Sequence, residues 1–152
     1  MRKDLLLLTP LAGLADLALL LLRWVTGAFL VYQSHDNVLS PARMAEFEKF
    51  LAQFDFPMPA LMAPLCVWAQ LLCGTAFILG LLTRWAGLVT AFVFVVAVWM
   101  VHWPQDFPGW WPALVLIFLG LLFATRGAGR YSLDRLIERR DDRHRGKTTF
   151  GR

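Results

Sequence analysis

Three consecutive stretches of this chain carry no formal charge, and each is long enough to cross a bilayer. No Asp, Glu, Lys or Arg lies between Asp55 and Arg84, between Arg84 and Asp106, or between Asp106 and Arg126. A membrane helix needs about 20 mostly apolar residues, and the apolar parts of these windows run over about 58–81, 85–103 and 109–125. A further stretch, about 14–32, is equally long and apolar but carries Asp16 near its start and Arg23 at its middle. Of the 152 residues, 58% are hydrophobic and 17% charged, against roughly a quarter charged in soluble domains. A soluble globule of this length buries only about two-thirds of its chain surface, too little to hide so many apolar side chains. A cytosolic enzyme, a nucleic-acid module and a disordered chain are thereby set aside. The expectation is an all-α fold: a four-helix transmembrane bundle over 1–134, with a basic cytoplasmic tail over 135–152.

Orientation follows from the basic residues. With four spans both termini lie on one side. That side holds Arg2, Lys3, Arg84 and nine tail residues from Arg126 to Arg152, against Arg43 and Lys49 on the other. An asymmetry of twelve to two places both termini in the cytoplasm. Trp103, Trp110, Trp111 and Tyr32 then gather at the outer interface. Arg2 and Lys3 followed by Leu5–Leu8 also resemble the start of a signal peptide. Against cleavage, Asp4 and Pro10 interrupt that pattern, and apolar residues continue to Val31.

Two shorter segments have helical signals. Ser40-Pro41 supplies a capping residue followed by proline at the first helical position, and Met44, Phe47, Leu51 and Phe54 then share one face. The spacing predicts a short amphipathic helix lying flat on the outer surface, as a cap over the helix ends or as a lid. Beyond the turn Gly127-Ala128-Gly129, Ser132 is placed to cap a helix bearing Leu133, Leu136 and Ile137 on one face. The mixed run Arg139–Arg145 reads as a solvated tail that fixes topology and suits anionic lipid headgroups. Nucleic acid is not an expected partner, since no stacking aromatics accompany the charge.

Ionisable groups inside a membrane are costly and have a partner or a job. Arg23, counted from an entry near Leu14, lies roughly 13 Å in, and Gln70, counted from Met58, roughly 18 Å in from the other side. On that count they share a level near mid-bilayer, which no acid reaches, so Arg23 and Gln70 form the candidate polar centre and the candidate contact for a quinone headgroup. Asp16, near the inner end, is matched with Arg84. Cys66, Gln70 and Cys73 share a face, and the two sulfurs, about 10 Å apart along the helix, are too distant for a disulfide. They read as small packing residues, with Ala69, Ala76 and Gly80 at small-xxx-small spacing. On the outer side His35, Asp36, Asn37, His102 and Asp106 form a polar group whose spacing matches no metal motif. His102 is its candidate proton-handling member. No metal site and no catalytic residue is assigned, and no nucleotide or nucleophile motif is present.

Several of these stretches together resemble the DoxX family of small bacterial membrane proteins. They are Leu22-Arg23 with Gly27 and Phe29-Leu30; Gln70-Leu71-Leu72-Cys73-Gly74 followed by Ile78-Leu79-Gly80-Leu81-Leu82-Thr83-Arg84; His102; and Gly127-Ala128-Gly129-Arg130-Tyr131-Ser132-Leu133-Asp134. The resemblance spans about Leu20 to Asp134 and implies a four-helix membrane bundle. It further implies association with quinol oxidases, with thiosulfate:quinone oxidoreductases or with membrane partners of thiol and superoxide defence proteins. Gln70 stands where the resemblance leads one to expect glutamate, and Asn37 where it leads one to expect lysine. The expected role is an accessory subunit or partner of a quinone-linked membrane redox system, with no intrinsic cofactor and quinone as the candidate ligand. The expected partners are the lipid bilayer, membrane or periplasmic redox proteins and a second copy of the chain. A small transporter and a quinone-linked oxidoreductase component are the alternatives.

Overall fold

A computed structural model describes residues 9–139. After a 3-10 turn at Thr9–Leu14, the chain forms α1 (Ala15–Leu39), α2 (Pro41–Gln53), α3 (Pro59–Leu79), α4 (Thr83–Ala97, continued by a π-helical turn at Val98–His102) and α5 (Phe107–Arg126). A last helix, α6, occupies 133–139. The described residues contain no strand. Four helices are long and apolar enough to cross a membrane: α1, α3, α4 with its π turn, and α5. This is the expected all-α four-helix bundle. The first span differs from expectation by continuing to Leu39, so His35, Asp36 and Asn37 lie within the helix rather than after it. The N-terminal stretch weighed as a signal-peptide start, Arg2 and Lys3, and the basic residues from Arg140 onward lie outside the described residues.

The bundle is built as two close pairs, α1 with α3 and α4 with α5, joined through α3 and α4. Each pair is set by two glycines facing one another. A Cβ on Gly27 would sit 2.6 Å from the Gly74 carbonyl oxygen, and one on Gly74 would sit 2.8 Å from that of Gly27. Gly87 and Gly120 repeat the arrangement at 2.5 and 2.6 Å. Backbones can approach this far only without side chains, and in a membrane such close packing is a main source of helix association. Between the pairs lies a core of Leu30, Cys73, Phe77, Ala86, Phe94, Ala113, Leu116 and Phe123. Phe77 and Phe123 meet across it with ring centroids 4.8 Å apart.

The amphipathic helix forms where the sequence places it. Ser40 Oγ accepts from the Arg43 amide, Pro41 opens the helix, and Leu51 is buried while Met44, Phe47 and Phe54 are half-buried. It rests on α1 and α3 at the end of the bundle opposite the termini. That end is called the loop end below, and the other the tail end.

Candidate functional site

The four helices leave orphan backbone groups at the tail end: the last carbonyls of α3 and α5 and the first amides of α4. Arg23 answers those of α3. It is 1% exposed, and each of its guanidinium nitrogens donates to a main-chain carbonyl. Nε donates to Phe77 O at 2.6 Å, Nη1 to Ala128 O, and Nη2 to Tyr131 O at 2.9 Å. The neighbouring Trp24 donates Nε1 to Ile78 O at 3.1 Å. The Gly80 and Leu81 amides take Ala76 O. The end of α3 is thus closed by its own left-handed Gly80 turn and by two adjacent residues of α1. A cation at a helix C-terminus also complements the helix dipole.

Arg84 does the same for α5, where Nη1 donates to Ala124 O at 3.0 Å and Thr125 O at 2.7 Å. The start of α4 has the opposite need and meets an acid. Asp134 Oδ1 accepts from the Leu82 amide at 2.7 Å and Oδ2 from the Thr83 amide at 3.0 Å. Its own amide donates to Gly80 O at 2.9 Å. Asp134 is also the acid whose charge acts on Arg23. The segment Gly127–Asp134 therefore works as a strap. Its carbonyls at Ala128 and Tyr131 receive Arg23, its carboxylate caps α4, and Ser132 Oγ accepts from the Arg135 amide to start α6. Leu133, Leu136 and Ile137 on α6 are exposed.

This geometry corrects the expected polar centre. Arg23 and Gln70 do not meet. Gln70 lies seven residues, roughly 10 Å of helix rise, from the Phe77 carbonyl that holds Arg23, and it donates Nε2 to Cys66 Sγ at 3.3 Å within its own helix. The error came from counting depth along single helices. Arg23 meets the carbonyl of Phe77, two residues before the end of α3 at Leu79, and those of Ala128 and Tyr131 beyond α5, so it belongs to the tail end and not to the bundle's middle. The acid whose charge reaches it, Asp134, lies on the strap and not in a span. The matching of Asp16 with Arg84 is corrected too: Asp16 Oδ1 accepts from the Arg130 amide at 3.3 Å, and Arg130 Nε lies 4.0 Å from Oδ2. Arg84 and Asp134 both close stretches that carry the resemblance, but no sequence signal gave the first its carbonyl-capping role or the second its hold on the start of α4. The absence of a side-chain cap at Leu82-Thr83 was the available clue to the second.

Cys73 belongs to the core, and Cys66 is half-buried beside Gln70; both are free thiols. At the loop end the polar group is held locally. His35 Nδ1 faces the Tyr32 carbonyl at 2.6 Å and Nε2 lies 3.0 Å from Asp36. His102 Nδ1 lies 3.1 Å from Gln105 Oε1, and the His102 carbonyl accepts from Trp110 Nε1 at 2.5 Å. Asp106 caps α5 through the Gly109 amide. Among the described residues no three His, Cys, Asp or Glu side chains are grouped to hold a metal ion. Trp103 stacks on Trp110 and meets Trp99 at a tilt, with ring centroids 5.6 Å apart in each pair.

The DoxX family model matches residues 18–103, more than half of the chain, from the start of α1 through the π turn of α4. No curated protein and no solved structure matches it.

Proposed function

The chain belongs to the DoxX family, and from that premise we propose that it serves a quinone-linked redox system of the bacterial cytoplasmic membrane as an accessory or partner subunit. Its multi-pass bundle contacts lipid. The observation that carries the accessory role is the engagement of Arg23. Arg23, the basic residue set furthest inside a span, has all three nitrogens on carbonyls of its own chain, which is how a fastener is built. Gln70 likewise bonds within its helix. The work of such a bundle is done at its outer surface, where Trp24, Trp68, Trp85 and Trp99 are exposed among apolar side chains. We place both termini in the cytoplasm on the basic asymmetry.

Purification in mild detergent tests this. A cofactor-bearing membrane protein is expected to accompany the chain, with haem or flavin absorption and bound quinone following that protein when the two are separated. Quinone retained in equal amount by the isolated chain overturns the accessory reading in favour of an oxidoreductase component. Solute flux through the isolated chain in vesicles overturns it in favour of a transporter.

A further inference from the structure

A groove of about 540 Å³ opens at the tail end, between the start of α4, the end of α5, the strap and α6. Four arginines line it, Arg84, Arg126, Arg130 and Arg135, with the acids Asp16, Asp134 and Glu138. Each acid is already engaged. Asp134 holds the α4 amides, Asp16 pairs with Arg130, and Glu138 pairs with Arg135 at 3.0 Å. Among the described residues, the charge left over is that of Arg84 and Arg126.

Arg84 is held by Nη1 alone, through the two α5 carbonyls. Its other edge, Nε with Nη2, lies along Gly127, where a Cβ would come within 3.3 Å of both nitrogens. That edge offers two parallel N–H groups, the fork that matches a phosphate or carboxylate. Gly127, at φ 75°, leaves the approach open. Leu82, Trp85 and Ile137 line the same groove and are all exposed. The groove therefore joins cationic donors to an apolar flank at the ends of the spans, the level of the headgroups. Basic pockets between membrane helices take anionic headgroups, and ligand sites commonly measure about 300–1,000 Å³.

We propose that this groove binds the phosphodiester headgroup of an anionic phospholipid, with Arg84 and Arg126 as its cationic contacts and Trp85 beside the acyl chains. The apolar flank is what favours a lipid over free phosphate, which offers nothing for Leu82, Trp85 and Ile137 to cover.

The test uses the full-length chain in neutral detergent, titrated separately with short-chain phosphatidylglycerol, short-chain phosphatidylcholine and inorganic phosphate, and read by the rise in unfolding temperature. Phosphatidylglycerol is expected to give a saturable rise that the other two do not give at equal concentration. Arg126→Gln should raise the half-saturating concentration about fivefold, as expected for one basic residue at an anionic surface. Arg84→Lys keeps the charge but loses the fork, and should weaken binding likewise. Arg43→Gln, at the loop end, should not. Equal stabilisation by phosphatidylcholine, or unchanged binding in both Arg126→Gln and Arg84→Lys, overturns the proposal. Binding of inorganic phosphate as tight as that of phosphatidylglycerol overturns the lipid assignment.

Discussion

A buried guanidinium is stable only where its donors are met, and Arg23 meets carbonyls from two distant parts of the chain. Leaving a buried acceptor without its donor costs about 1–3 kcal/mol, and Arg23→Leu leaves three carbonyls without theirs. We therefore expect Arg23→Leu to lower thermal stability in detergent by that order. Gln70→Leu gives up one bond to a weak sulfur acceptor and should cost less than about 1 kcal/mol. Residues more than about 7–10 Å apart with no shared partner act additively, so the double variant should show the sum of the two losses. Recovery of stability in the double variant would restore the Arg23–Gln70 pair that the structure separates. That Arg23 needs a partner could be read from the sequence, because a charge inside an apolar span stands out. Which partner could not be read, because main-chain carbonyls have no residue code.

Helix starts and stops were the most legible elements. Ser40-Pro41 and Ser132 cap where their side chains say they should, and the charge-free windows set three of the spans to within a few residues. The pairing of the spans was not legible: glycines are common in membrane helices, and nothing local says which two face each other. The geometry now sets an experiment. Gly27→Ala and Gly87→Ala each force a methyl into a facing carbonyl and should destabilise by about 1–3 kcal/mol. Gly13→Ala, where a Cβ meets nothing within 4 Å, should change stability by no more than about 0.5 kcal/mol. At the start of α4, Asp134→Ala removes an N-terminal cap at a cost of about 0.5–2 kcal/mol. Hydrogen exchange should then accelerate at the Leu82 and Thr83 amides more than at the middle of α4.

At the level of the whole molecule, membrane class and span number follow from hydropathy alone, since lipid imposes one length on every crossing. The tail-end architecture does not, because it depends on residues far apart in sequence converging on three helix ends. Orientation remains open to a direct check. A reporter fused after Arg152 should read cytoplasmic, and one inserted in the turn around Asp55–Pro57 should read from the opposite side. The reverse pattern would invert the assignment drawn from the basic asymmetry.

The strap also imposes an order on the chain's birth. Arg23 leaves the ribosome 105 residues ahead of Ala128 and 108 ahead of Tyr131. At about 5–20 residues per second, the first span waits roughly 5–20 s for two of its three acceptors. Through that interval the guanidinium has to be kept by water, by headgroups or by the insertion machinery. Completion of the strap is therefore the moment when the first helix stops being a reluctant passenger of the bilayer and becomes part of a finished protein.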